Sequence, residues 1–359
     1  MASPLFSIVV TGYQNGPYLE KALTSIAQQS FGGFEVLCYV EESTDNSLEI
    51  CRSFSQKDNR FKAIVAKKSG SAAATRNYGI ENATGEYLLA LDGDDWFAPD
   101  MLQQLATKLD QTGPLDVLAF AGQKMLTNAD GNFDASDIVA NFSSGEVEGV
   151  ISGEEALHRV ARKKRKFYDF TWLNLYRLSF LREHNLLQTH GRFFEDYEWT
   201  PRVWFFAKRL TFMDEVFYFY RIREGSLTKR MMTSNIFFDM PFQIRQLAGF
   251  ALENHVPADI LSFWGNQWFI FLFWILFQPE NARQLTKERR VKALSILLND
   301  GGADIFKKIM CFVSRPKRMA FPFLRLGAKG WLFPADCFFR FAYYPLTQLR
   351  EKMHGQKDN

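Results

Sequence analysis

Two hydrophobic rhythms alternate along the first 120 residues. Phe6-Ser7-Ile8-Val9-Val10-Thr11 reads as a buried strand, and Pro17 to Gln28 then sets Leu19, Ala22, Leu23 and Ile26 at helical spacing. Phe34 to Val40 predicts a second strand. Ser43 to Ser47 supplies N-cap residues for a helix through Leu48, Ile50 and Phe54. Phe61 to Ala66 and Glu86 to Leu91 are further strands, with a helix from Ala72 to Asn82 between them. Pro99 starts another helix, and Leu115 to Phe120 follows as a fifth strand. Strands alternating with helices of this length predict an α/β fold with a parallel, doubly wound sheet.

The regularity lapses over residues 121 to 150, rich in Gly, Asn, Asp and Ser, which read as a loop or hairpin excursion. A helix from Gly153 to Arg162, an aromatic strand-like stretch Phe167 to Tyr176, a helix Glu195 to Arg209 and a strand Leu210 to Tyr220 come next. From about Thr233 onward the pattern is helical, with breaks at Pro257, Pro279, Gly301, Pro316, Pro322, Pro334 and Pro345. The expected division is a catalytic domain over 1–230 and a helical region over 231–359. Trp264 to Phe277 is intensely apolar but too short to span a bilayer, so it is expected to be buried or to face a partner.

Composition narrows the class. The chain of 359 residues is 47% hydrophobic and 23% charged, which excludes a disordered or collagen-like protein. Cys38, Cys51, Cys311 and Cys337 form no CxxC pair, so neither a disulfide framework nor a zinc knuckle is expected, and a reducing compartment is. The start of the chain has no basic, apolar signal pattern. The net charge of +3 hides an asymmetry: residues 301–359 hold eleven Lys and Arg against four acids, near +7, which leaves the rest near −4. Aromatic residues reach 16% and interleave with those basic positions, a mixture suited to an anionic membrane surface. Packing of the same aromatics on the core is the competing reading. No nucleic-acid-binding signature is present, and no nucleic-acid partner is expected.

Candidate chemistry concentrates where Tyr87 to Leu91 ends in Asp92-Gly93-Asp94-Asp95. In an open parallel sheet ligands bind outside the carboxyl ends of the strands. Three carboxylates within four residues repel one another unless a cation or donors separate them, and a hard divalent ion prefers such ligands. A solvated acidic turn is the alternative. Other polar segments fall at the ends of predicted elements: Thr11-Gly12-Tyr13, Glu41-Glu42-Ser43-Thr44-Asp45, Ala74-Thr75-Arg76-Asn77, Glu195-Asp196, and Arg221-Ile222-Arg223-Glu224-Gly225-Ser226.

In this order the segments resemble the family 2 glycosyltransferases, over about residues 5 to 228. The resemblance implies the GT-A fold, a Rossmann-like, mostly parallel sheet flanked by helices, here with a C-terminal helical appendage. It implies an inverting, metal-dependent transfer from a UDP-sugar, of the bacterial cell-surface polysaccharide type. By the same resemblance Thr11, Tyr13 and either Glu41 or Glu42 face the uracil. Arg76 and Asp92 serve the diphosphate, Asp94 with Asp92 holds Mn²⁺ or Mg²⁺, Asp196 is the general base, and Arg223 and Ser226 contact phosphate. The second strand end is one residue shorter than the family's usual Asp-Asp-Gly-Ser-Thr-Asp.

The implied acceptor is a saccharide or lipid-linked saccharide, which places the protein in the cytoplasm, peripheral at the inner face of the cell membrane. Two other readings stand beside this one. A sugar nucleotidyltransferase would carry a basic, Gly-rich loop after the first strand, where this chain has Thr11 to Pro17. A non-catalytic saccharide-binding or scaffolding protein would not need Asp92, Asp94 and Asp196.

Overall fold

The computed structural model describes residues 3–127, 133–143, 145–163, 166–222, 235–277 and 285–339. The chain forms two compact units, Met1–Ser226 and Leu227–Asn359.

In the first unit, strands β1 (Phe6–Gly12), β2 (Phe34–Glu41), β3 (Phe61–Ala66) and β4 (Tyr87–Asp92) alternate with helices α1 (Gly16–Ala27), α2 (Ser47–Lys57) and α3 (Ala72–Asn82). Every residue of β1 except Thr11 is buried, as expected for a strand covered on both faces. Helix α1 begins with Pro17 in its first turn and buries Leu19, Ala22, Leu23 and Ile26.

Parallel pairing runs from β3 through β2 and β1 to β4. The register sets Thr11 beside Asp92 across β1 and β4, and Gly12 beside Val40 across β1 and β2. Thr11, Glu41 and Asp92 therefore end at one edge of the sheet. This edge is built by local alternation alone.

The rest of the unit adds β5 (Trp96–Phe97), α4 (Met101–Thr112), β6 (Val117–Thr127), β7 (Phe133–Val139), α5 (Gly153–Lys163), β8 (Asn174–Arg177), α6 (Leu178–Glu183), α7 (Glu195–Phe206) and β9 (Leu210–Ile222). The sheet order is β3-β2-β1-β4-β8-β6-β9-β5, with β7 on β6. Here the parallel, doubly wound expectation holds only in part. β6 and β9 are parallel, but β8 runs antiparallel to both β4 and β6, and β5 runs antiparallel to β9.

Of the two readings for residues 121 to 150, the hairpin holds at the start, because β6 continues to Thr127 and pairs antiparallel with β7. One local expectation changes. The aromatic run from Phe167 is not one strand. It has no regular element up to Phe170, turns through a 3₁₀ segment at Thr171–Leu173, and only then becomes β8. Trp172 stacks on Phe170 at 5.0 Å and on Tyr218 at 4.3 Å, and this long-range stacking takes precedence over strand alternation.

The second unit contains helices Asp239–Glu253, Ala258–Phe277, Lys287–Leu298, Gly302–Ile309, Arg315–Ala328 and Leu332–Phe338. Trp264, Trp268, Leu272, Leu276 and Phe277 of the apolar helix are buried, with Ile270 exposed. Among the described residues no helix is long and apolar enough to cross a membrane.

Candidate active site at the carboxyl ends of the strands

The turn after β4 is shaped by one glycine. A Cβ on Gly93 would stand 2.3 Å from the Thr11 carbonyl oxygen, so only glycine lets this turn lie against β1. The Gly93 N–H donates to Thr11 Oγ1 at 3.2 Å, and that hydroxyl donates to Asp92 Oδ1 at 3.4 Å. Asp92 and Asp94 are half-buried beside the turn.

Asp95 points the other way, into the protein, where it is 1% exposed. It accepts from the Tyr218 hydroxyl at 2.7 Å and from the Arg221 backbone N–H at 2.7 Å. Burial, with Asp94 and Asp92 nearby, pushes its carboxyl well above the ordinary range. Tyr218 Oη also accepts from the Asp92 N–H at 3.1 Å, and Arg221 Nε donates to the Asp94 carbonyl at 2.8 Å. The third acid of the motif is thus a tie between the turn and β9.

Arg76, on α3, is buried between two carboxylates. It donates to Glu195 Oε1 at 2.8 Å and to Asp92 Oδ1 at 3.2 Å. Burial opposes its charge, but Asp92, Glu195 and Asp196 outweigh that and keep the guanidinium protonated. The Glu195-Asp196 pair opens helix α7, whose cap Phe194 adopts the left-handed conformation with φ 60°. A bulky residue there is strained, and such strain clusters at functional sites.

Burial and the nearby Asp169 push Asp196 up to about 7. Burial, opposed by Arg76 and reinforced by Asp196, also raises Glu195 to about 7. Asp169 is raised by burial to about 6. Carboxylates from β4, the stretch before β8 and α7 therefore share one region with Arg76.

At the other side, Glu41 is 6% exposed and accepts from the N–H of Ser69 at 3.1 Å and from its hydroxyl. Glu42 is exposed. Tyr13 is half-buried, and Lys68 donates to its hydroxyl at 2.5 Å. Asp45 accepts from the Gly16 N–H at 2.8 Å and from both Ser43 and Ser47, which lowers its pKa despite partial burial. It fastens the loop after β2 to the start of α1.

The family model for "Glycosyl transferase family 2" matches residues 7–133. Glycosyltransferase GlyG of Streptococcus pneumoniae serotype 4 is 30% identical over 230 residues, covering 63% of this chain and 74% of GlyG. The chain belongs to glycosyl transferase family 2. EpsH of Bacillus subtilis is 30% identical over 233 residues, 64% of each chain, so this family member spans just under two thirds of EpsH. The crystal structure of Staphylococcus aureus TarS 1-349 in complex with UDP-GlcNAc superposes with a TM-score of 0.70 at 20% identity. That match covers 93% of this chain and 91% of TarS, and it gives the family member its GT-A fold with C-terminal helices.

The structure brings together Thr11, Arg76, Asp92, Asp94 and Asp196, and sets Tyr13, Glu41 and Glu42 along the same strand edge. Arg223 and Ser226 lie outside the described residues. Between the two candidate acids, Glu41 is the one held in place. Asp95, Asp169 and Tyr218 went unassigned in the sequence. Asp95 stood in the acidic motif without a role of its own, and Asp169 was a lone acid inside the aromatic run Tyr168-Asp169-Phe170.

Proposed function

We propose that this family 2 chain transfers a sugar from a UDP-sugar to a saccharide or lipid-linked saccharide, with inversion at the anomeric carbon. The observation that carries the reading is the acid cluster at the β4 end, where Asp92 and Asp94 sit within one region with the raised, half-buried Asp196. The base and ribose of the donor lie along Thr11, Tyr13 and Glu41. Asp196 accepts the proton of the acceptor hydroxyl as it attacks opposite the departing diphosphate. A pKa near neutrality suits that task, because the carboxylate is both available and basic enough. Arg76 holds Asp92 and Glu195 in position from behind, and Arg223 and Ser226 are proposed phosphate contacts.

Asp92 and Asp94 offer hard oxygen donors suited to a divalent cation such as Mn²⁺ or Mg²⁺. Among the described residues no group of three His, Cys, Asp or Glu side chains could hold a metal by itself. Two carboxylates completed by substrate phosphates is the usual arrangement for Mg²⁺, so the residues fit a metal bound together with the diphosphate. Such an ion would neutralise charge on the leaving group. Enzymes acting on lipid-linked saccharides work at a membrane, which gives the proposed cytoplasmic, inner-face location its purpose.

The test is release of UDP from a panel of UDP-sugars in the presence of Mn²⁺, with and without saccharide acceptors. Turnover that vanishes in EDTA and in Asp94→Asn supports the proposal. UDP affinity that is equal with and without metal removes the metal assignment. Absence of turnover with every donor, despite UDP binding, favours a non-catalytic saccharide-binding protein.

A further inference from the structure

Helix Arg315–Ala328 is amphipathic in an unusual sense. Its inner side buries Ala320, Phe321 and Leu324. Gly327 brings it close to helix Lys287–Leu298, since a Cβ there would stand 2.7 Å from Leu294 Cδ1. Its outer side presents Arg318, Met319, Pro322, Arg325 and Leu326, all exposed, and Lys329 continues the same stripe. Spacings of three and four place these on one face, and at about 1.5 Å per residue the stripe from Arg318 to Lys329 is roughly 16 Å long.

The exposed apolar groups on and beside this stripe are large: Met319 is 64% exposed, Leu326 40%, Phe312 37% and Trp331 70%. Arg318 donates to the Cys311 and Val313 carbonyls, which sets the turn bearing Phe312 next to the stripe. The Trp331 N–H donates to the Leu326 carbonyl, which folds Trp331 back over the other end. From residue 305 to 335 the chain has seven Lys and Arg and no Asp or Glu. Lys307 and Lys308 of the preceding helix are also exposed.

We infer that this face docks on an anionic lipid bilayer. A soluble partner protein would meet it with apolar side chains and would need acids for every cation. A bilayer surface supplies both at once: phosphate headgroups for Arg325 and Lys329, and an acyl boundary for Met319, Leu326 and Trp331. Tryptophan is favoured at that boundary because its ring is apolar and its N–H is polar. Each basic side chain near such a surface strengthens partitioning roughly fivefold. The residues beyond 339, with Arg340, Arg350, Lys352 and Lys357, lie outside the described region and are not needed for the face. Membrane docking here does not depend on the transferase reading, and its test leaves catalysis aside.

The experiment is flotation of the full chain with phosphatidylcholine vesicles, with and without phosphatidylglycerol. The protein should rise with the anionic vesicles only, less at high salt. Arg325→Glu with Lys329→Glu should weaken that binding by at least about tenfold, and Met319→Ser with Trp331→Ser should weaken it even at low salt. All four side chains are exposed, so circular dichroism and urea unfolding should match the parent, and UDP binding should be unchanged. Parent-strength flotation of both variants would assign membrane contact to other residues and overturn the face. No flotation of the parent also overturns it. A solution dimer that Met319→Glu dissolves would instead assign the face to a second copy.

Discussion

Arg76 and Glu195 are 119 positions apart in the chain and meet at 2.8 Å in the interior of the first unit. The same guanidinium reaches Asp92 at 3.2 Å, so one buried cation joins the end of β4 to the start of α7. The acidic turn and the Glu195-Asp196 pair belong to elements that do not pair in the sheet. Arg76 is what fixes one against the other.

Removing that cation should be severe. Arg76→Gln leaves Glu195 and Asp92 with uncompensated charge in a buried place, and breaking such a pair typically destabilises by about 3–5 kcal/mol. Glu195, already raised by burial, should rise further without Arg76. Urea unfolding of Arg76→Gln and Arg76→Lys checks this. Parent stability in the Gln variant would show that the tie is dispensable.

Asp196→Asn should lower turnover roughly a hundredfold to ten-thousandfold while leaving UDP affinity nearly unchanged. The parent's pH profile carries the second part of this prediction. A base with a pKa of about 7 is protonated below that pH, so activity should rise with pH through about 7. The residual activity of Asp196→Asn should lack that limb. Rate measurements from pH 5 to 9, at roughly one-unit steps, decide the matter, and an unchanged profile would move the role to Glu195.

Acid stability should depend on Glu35, far from the site. Burial opposes its ionisation, but hydrogen bonds from Lys62, Thr84 and Ser7 outweigh burial and lower it to about 2. A folded pKa below the unfolded one stabilises the protein at pH values above the unfolded value. That contribution, on the order of 2 kcal/mol, is lost as pH falls from about 4.5 towards 2. Glu35→Gln should therefore destabilise at pH 7 and narrow the gap between pH 7 and pH 3. Paired urea titrations at the two pH values measure it.

Gly93→Ala should damage the turn rather than the chemistry of any one side chain. The added methyl would clash with the Thr11 carbonyl and come within 2.6 Å of Asn15 Nδ2, and the backbone oxygen cannot swing away. Overpacking of this kind typically costs about 1–3 kcal/mol. Loss of UDP affinity should accompany it, because Thr11 and Asp92 move apart. A stable Gly93→Ala protein with parent UDP affinity would contradict the close approach.

The hydrophobic rhythm of the chain determines the first half of the sheet by itself. β1 to β4 and their helices follow from local periodicity, because parallel strands buried on both faces are continuous apolar runs and their helices carry one apolar stripe. The acidic motif was legible for the same reason, since a strand that ends in Asp92-Gly93-Asp94-Asp95 must present it at the sheet edge. The tertiary structure decided the rest. The antiparallel placement of β8, the break of the aromatic run by Trp172 on Tyr218, the inward turn of Asp95 and the bridging role of Arg76 all depend on partners about 40 to 130 residues away. Asp94 and Asp95 are neighbours of identical chemistry. Only the presence of Tyr218 and the Arg221 N–H behind the turn makes one a buried tie and leaves the other at the site.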